Sequence, residues 1–277
     1  KYSDHNLDSN DIYLDASGDY RLERNIYTLT GLYHKDSNLN SLSSDFGVTG
    51  RRINRQLWSI VPQYQRLITE RLIFSTSYNH TDVDYIDAED TGFVPYKTDT
   101  LSGTLMYELT ERDKLSFILQ ATDYASKNNA LEYQLFITRL GIVHDFSELW
   151  SVDFTVGGSR RNSTNKFTQT FDFFGQPITL TQVTDFSDNG YVLDTGFERK
   201  METGSFSARI SRDNVTNSFG GLNVVDSIRF GFSQRLTELW RYDIQARYED
   251  IDAVSAVTRS TDREVLFFEP RIFYQIG

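Results

Sequence analysis

Apolar and polar residues alternate along most of this chain with a period of two. In the stretch 240–249 the two faces carry Trp240, Tyr242, Ile244, Ala246 and Tyr248 on one side and Arg241, Asp243, Gln245, Arg247 and Glu249 on the other. Because successive side chains of a β-strand point to opposite faces, this pattern predicts strands with one apolar and one polar face. The alternation predicts thirteen strands, over residues 10–22, 25–36, 55–68, 71–83, 96–109, 113–126, 131–146, 149–161, 189–200, 203–213, 221–236, 239–251 and 263–276.

A short turn sequence recurs six times between these runs. Its copies are Leu22-Glu23-Arg24, Thr69-Glu70-Arg71, Thr110-Glu111-Arg112, Ser147-Glu148-Leu149, Met201-Glu202-Thr203 and Thr237-Glu238-Leu239. Turns at a spacing of roughly 36–54 residues, separated by longer polar loops, predict an up-and-down meander of hairpins.

A water-soluble β-sandwich would also alternate, but two features favour a membrane barrel. The predicted strands run to about 10–16 residues, whereas soluble strands usually have five or six. Aromatic residues also stand near strand ends, as in the interfacial girdles of membrane barrels: Tyr78, Tyr107, Trp150, Trp240, Tyr242, Tyr248 and Tyr274. The predicted fold is therefore all-β, a transmembrane up-and-down antiparallel β-barrel of the bacterial outer membrane.

Composition narrows the alternatives. The chain has 277 residues, no cysteine, a formal charge of −11 and a mean hydropathy of −0.46. No apolar run is long enough for a transmembrane helix, whereas a barrel strand needs only about 9–11 residues. The acidic balance argues against nucleic acid as a partner. Nothing marks a linker, so residues 1–277 are predicted to belong to a single barrel domain.

Loop length predicts the orientation, because outer-membrane barrels have short periplasmic turns and longer outer loops. The outer loops are then predicted at residues 36–55, 84–96, 127–131, 162–188, 213–221 and 252–263, with 171–184 extending as a hairpin above the membrane. Bacterial barrels normally have an even number of strands with both termini in the periplasm. An odd count therefore predicts missing N-terminal sequence, allows for missing C-terminal sequence, and suggests roughly 14–18 strands in the complete barrel.

Several segments resemble one family in their order along the chain. They are Asp11–Glu23, Tyr27–Lys35, Arg51-Arg52, Arg55–Pro62, Leu67–Arg71, Tyr78–Tyr85, Leu109–Asp113 and Leu236–Glu238. The chain resembles the outer-membrane β-barrels found with exopolysaccharide and exosortase (PEP-CTERM) systems. The resemblance implies a porin-like conduit in exopolysaccharide export, with polysaccharide and periplasmic export proteins as partners beside outer-membrane lipid and lipopolysaccharide.

No constellation for catalysis or cofactor binding stands out. The histidines His5, His34, His80 and His144 are scattered, and there is no nucleophile elbow or phosphate-binding glycine loop. We therefore expect no enzyme activity, no cofactor and no metal centre. An acidic outer loop (Asp82, Asp84, Asp87, Glu89 and Asp90) could hold Ca²⁺, although such loops are more often only solvated.

The informative polar residues lie at the alternate positions that form the polar face of each strand, here called the inward parity. They are Arg139, Arg161, Arg209, Arg229, Arg241, Arg247, Arg271, Asp15, Asp19, Asp153, Asp194, Glu198, Asp243, Glu249 and Glu269. An Arg facing lipid near the bilayer midplane costs about 2–4 kcal/mol, so these side chains are predicted to line the lumen. They would form either a channel lining that selects a polar or anionic solute, or ion pairs that fill and brace a closed barrel acting as a scaffold.

Overall fold

The computed structural model describes residues 11–37, 54–86, 93–174, 176–216, 221–253 and 262–274. Its thirteen strands are β1 (Ile12–Arg21), β2 (Asn25–Ser37), β3 (Asn54–Leu67), β4 (Leu72–Ile86), β5 (Tyr96–Glu108), β6 (Asp113–Ser126), β7 (Leu131–Ser147), β8 (Trp150–Phe173), β9 (Gln176–Met201), β10 (Gly204–Thr216), β11 (Leu222–Arg235), β12 (Trp240–Ala253) and β13 (Arg263–Tyr274). They form one antiparallel sheet in chain order, which confirms the predicted all-β, up-and-down architecture. No helix in the described ranges is long and apolar enough to cross a membrane.

The hairpin predicted at 171–184 is confirmed, but the rest of the longest predicted loop is wrong, because most of residues 162–188 are strand. β8 and β9 pair without a break from Trp150 and Arg199 to Phe173 and Gln176. Threonines stabilise the extension, since the hydroxyls of Thr168 and Thr181 lie 3.3 Å apart and those of Thr170 and Thr179 lie 3.1 Å apart. Cross-strand threonine pairs favour sheet, whereas the Asn and Ser residues at 162–165 had indicated loop.

Two other predicted loops are shorter than expected, because β4 continues to Ile86 and β10 continues to Thr216. Residues 38–53, 87–92, 217–220 and 254–261, which belong to four of the predicted outer loops, lie outside the described residues.

Three of the six copies of the recurring turn sequence are stabilised by a threonine. The Thr69 hydroxyl accepts hydrogen bonds from the backbone N–H groups of Arg71 and Leu72, at 3.3 and 3.0 Å. Thr110 and Thr237 make the same pair of bonds in their own turns. A side chain that satisfies two backbone donors suits a tight reversal, so the repeat marks one end of the sheet, here called the turn end. The opposite end is called the loop end.

One face of the sheet is apolar and open to its surroundings. On β6 and β7 it carries Leu115, Leu119, Leu140 and Ile142, which are 40 to 61% exposed. Near the turn end its aromatic rings touch across neighbouring strands, in the series Tyr20, Tyr27 and Tyr64, the series Trp150, Phe197, Phe206 and Phe230, and the pairs Phe232–Tyr242 and Trp240–Tyr274. A broad exposed apolar face bordered by aromatic rings matches the lipid-facing surface of a membrane barrel.

The polar face is concave. Arg139 on β7 bonds to Asp213 on β10, although β8 and β9 lie between them in the sheet. Arg209 on β10 likewise reaches Asp153 on β8, across β9. Side chains of non-adjacent strands can meet in this way only on the inside of a curved sheet. Within the described residues β1 pairs only with β2 and β13 only with β12, and the strand number of the complete barrel stays a prediction.

Candidate functional site: an arginine row on the concave face

Register brings three of the predicted lumen residues side by side. Arg209 pairs with Arg229, and Arg229 pairs with Arg247, on the consecutive strands β10, β11 and β12. We call these three residues the arginine row. Gly196 and Asp153 continue the row on β9 and β8, and Phe267 ends it on β13. Like charges placed directly opposite each other across strands are destabilising, so the row needs compensating anions.

Arg209 is the best compensated member. Its guanidinium donates to Asp153 at 3.0 Å and also to Asp194. Gly196 lies between these strands and makes room for the contact, since a Cβ there would lie 2.7 Å from the Arg209 guanidinium and would overlap the Asp153 carboxylate. Two carboxylates therefore hold one guanidinium on the wall.

Arg229 and Arg247 have less compensation, because both depend on Glu249. Arg247 lies 3.4 Å and Arg229 lies 3.9 Å from the same Glu249 oxygen. Glu249 is almost fully buried, whereas the Arg229 side chain is 52% exposed. Arg247 also stacks over the Phe267 ring at 4.3 Å, which orients it. Arg229 is thus the most exposed member of the row, and its carboxylate partner lies farther away than those of Arg209 and Arg247.

A cavity of about 890 Å³ borders the arginine row on the concave face. Besides the three arginines its lining includes Asp153, Glu198 and Glu269 from the predicted set, together with Ser207, Gln245 and Phe267. The cavity offers guanidinium donors, carboxylate acceptors and one aromatic ring. Such a mixed lining can bind a polar solute that carries negative charge.

The register places all fifteen predicted residues on the concave face, but the structure gathers only some of them at the cavity. Asp194 and Glu249 are connected to the cavity by their ion pairs with Arg209 and Arg229. Arg271 is connected through Glu269, and the others form separate contacts: Asp15 with His34, Asp19 with Thr28, Arg139 with Asp213, Arg161 with Asp188, and Arg241 with Asp243. That these side chains line a solute path is part of the proposal below.

A second region of the concave face was not singled out by the sequence pattern. Nearer the loop end, side chains of β6, β7, β9 and β11 pack into one buried apolar cluster, here called the loop-end layer: Tyr124, Leu131, Tyr133, Leu135, Ile137, Val192 and Leu222. All except Leu222 have the inward parity, and the rings of Tyr124 and Tyr133 stack at 4.6 Å. One signal was available, because residues 131, 133, 135 and 137 put apolar side chains on a face that is polar elsewhere.

The acidic outer loop is only partly described. Asp82 and Asp84 form ion pairs with Lys127, the latter at 2.7 Å, while Asp87, Glu89 and Asp90 lie outside the described residues. Partial burial acts to lower the pKa of Lys127, but the bonds to the two carboxylates are stronger and raise that pKa above its ordinary value. Among described residues no group of three or more His, Asp or Glu side chains is arranged to hold a metal ion.

Comparisons with known proteins concern the fold. The structure has a TM-score of 0.59 and 10% identity to the ferric-catecholate import receptor Fiu from E. coli, covering 96% of this chain and 55% of that chain. With the copper transporter OprC the TM-score is 0.56 at 10% identity, covering 96% and 52%. With an outer-membrane channel from Pseudomonas putida the TM-score is 0.50 at 10% identity, covering 92% and 96%. No family model and no curated protein matches the chain.

The likeness and the apolar convex face together define the class of protein. The chain has the fold of outer-membrane β-barrels, and its location is the bacterial outer membrane. It spans about half the length of the import receptor and of the copper transporter, and nearly all of the channel. Nothing in these comparisons points to exopolysaccharide systems.

Proposed function

We propose that this chain forms the wall of an outer-membrane conduit whose arginine row binds negatively charged groups of a polar solute. The supporting observation is Arg229, which is half-exposed beside a cavity of about 890 Å³ and shares its nearest carboxylate with Arg247. An incoming carboxylate or phosphate would relieve the repulsion among three adjacent guanidiniums. Neither a catalytic role nor a bound cofactor belongs to this proposal.

The more specific form of the proposal is a role in exopolysaccharide export. An acidic polysaccharide combines negative charge with many hydroxyls, and the cavity offers Ser207, Gln245 and Glu269 as hydrogen-bonding groups beside the arginines. Lipid and lipopolysaccharide would surround the apolar face, and periplasmic export proteins would deliver the polymer at the turn end, which is the expected periplasmic side.

A second candidate is a non-conducting scaffold that anchors a surface polymer or a partner protein through the outer loops. The observation that favours it is the loop-end layer, whose Tyr133, Leu135 and Ile137 are only 3 to 4% exposed although they face inward. A barrel whose concave side is filled by packed side chains would hold no continuous water path.

Single-channel conductance in a planar bilayer separates the two candidates. The conduit predicts an open current that polygalacturonate, an acidic polysaccharide, reduces and that neutral dextran leaves unchanged. Arg229→Ala should raise the half-blocking concentration about tenfold, because a hydrogen bond to a charged group is worth about 1.5 kcal/mol or more. The matched control is Arg21→Ala, which removes another exposed guanidinium of the concave face, distant in the sheet on β1. Silence at every voltage would favour the scaffold, and equal block of parent and Arg229→Ala would reject the arginine row as the binding site.

A further inference from the structure

The side chains that face inward change from exposed to buried over a few successive inward positions of a strand. Along β12, Arg247 is 33% exposed, Glu249 is 2% exposed and Ile251 is 1% exposed, at successive inward positions. On β9, Glu198 borders the cavity, whereas Val192 is 1% exposed. Water therefore reaches the concave face beside the arginine row and is excluded from Glu249, Ile251 and Val192, a few residues closer to the loop end.

Two bonds connect β7 to β10 beside these buried side chains. The Arg139 guanidinium donates to both oxygens of Asp213, at 2.8 and 2.9 Å. The Tyr133 hydroxyl lies 2.5 Å from that of Thr216. The strands in between place small or short side chains under Arg139, namely Gly157 on β8 and Val192 opposite it on β9. This charge-assisted bond therefore spans two intervening strands on the inside of the local curve, next to the loop-end layer.

We propose that the loop-end layer is a hydrophobic gate and that the Arg139–Asp213 pair is its latch. With the latch formed, apolar side chains from β6, β7 and β9 close the concave face on the loop side of the arginine row. Opening the latch lets the local curve relax and lets water enter, as hydrophobic constrictions do when they become wetted. Asp213 is 47% exposed, so an anion that arrives at Arg139 can compete with it for the guanidinium.

That a solute anion opens the latch rests on the proposed conduit function. The existence of the gate does not depend on that function. A solute anion leaving the arginine row toward the loop end would reach Arg139, which lies on the row of Gly157 and Val192. Latch opening would then be coupled to passage of the solute. Whether the layer is dry, and whether Arg139 keeps it dry, can be measured without any current.

Thiol labelling tests the gate directly, because the chain contains no cysteine and a single introduced thiol is a unique reporter. Val192→Cys reports on the layer and Ser207→Cys reports on the cavity lining. In the protein folded in liposomes, a charged methanethiosulfonate reagent should label Val192→Cys at least about tenfold more slowly than Ser207→Cys, since the site must first be wetted. Adding Arg139→Ala should raise the Val192→Cys rate about tenfold and leave the Ser207→Cys rate unchanged.

Controls separate the latch from general damage. Arg241→Ala removes an ion pair within one strand, that with Asp243, and should leave both labelling rates unchanged. Exchange of the latch charges, Arg139→Asp with Asp213→Arg, should restore slow labelling. Tyr133→Phe removes the second bond with little change in packing and gives a test that does not depend on the folding of Arg139→Ala, while heat-modifiable gel mobility confirms folding of each variant.

The outcomes are distinct from those of the conductance experiment. Equal labelling of Val192→Cys and Ser207→Cys in the parent would show a wetted layer and overturn the gate. Unchanged protection of Val192→Cys in both Arg139→Ala and Tyr133→Phe would overturn the latch. A protected layer that opens in these variants supports the proposal even where the arginine row fails to bind a polyanion.

Discussion

The two halves of the concave face are built on the same strands and yet have opposite environments. Toward the turn end, the arginine row borders a water-accessible cavity and its charges are compensated by shared carboxylates. Toward the loop end, the loop-end layer packs like the core of a soluble protein, with Val192 at 1% exposure. Membrane insertion constrains only the convex face, so the inner face is free to carry either a wet or a dry lining.

The boundary between the halves lies at Glu249. This carboxylate is 2% exposed, and one of its oxygens has no hydrogen-bond partner among the described residues. A buried carboxylate is costly unless it is paired, and here its compensation comes from Arg229 and Arg247 on the cavity side. A charged side chain therefore costs little free energy beside the cavity, where water solvates it, and much more beside the loop-end layer. Substitutions can measure this difference.

The largest effect should come from placing a charge in the loop-end layer. Val192→Asp keeps a similar side-chain volume and buries a carboxylate among apolar groups, so we expect it to lower the free energy of unfolding by about 3 kcal/mol or more. Ser207→Asp puts the same group at the cavity, where water solvates it, and should cost less than about 1 kcal/mol. Urea unfolding of both variants in liposomes measures the difference. Equal losses would mean that the two halves do not differ in hydration.

A smaller effect should follow from removing volume. Ile251→Ala deletes a fully buried side chain on β12 and should cost about 2–4 kcal/mol, from lost burial and the cavity left behind. Gln245→Ala, on the same strand and the same face, lines the water-accessible cavity and should change stability by no more than about 0.5 kcal/mol. A similar cost for the two variants would indicate that the loop end is loosely packed.

The sequence predicted one side of this comparison better than the other. Period-two alternation and the recurring threonine turns were enough for the thirteen strands and for the shared face of Arg209, Arg229 and Arg247. Direct pairing of these three depends on the register of two hairpins, β10–β11 and β11–β12, which alternation alone leaves open in steps of two residues. The Arg139–Asp213 bond joins residues 74 positions apart and depends on local curvature, which no short sequence pattern encodes. The hairpin at 171–184 was predicted, but its unbroken pairing with the rest of β8 and β9 was missed, because polar residues at 162–165 resemble a loop until their pairing partners are known.

The smallest effect concerns how closely the arginine row is fitted. Gly196→Ala adds a methyl group where the Asp153 carboxylate and the Arg209 guanidinium approach across β9, so one of them must move. Overpacking of this kind costs about 1–3 kcal/mol, and we expect the low end because both side chains border a cavity.

Gly31→Ala is the matched control, because nothing lies within 4 Å of a Cβ at that strand position. It should be neutral or slightly stabilising, by up to about 1 kcal/mol, through the reduced freedom of the unfolded chain. Urea unfolding in liposomes compares the two alanine variants on the same scale. If Gly196→Ala costs no more than Gly31→Ala, then Asp153 and Arg209 have room to separate. The compensation of the arginine row would in that case be adjustable, and its three guanidiniums would be freer to turn toward a solute than the close contact over Gly196 implies.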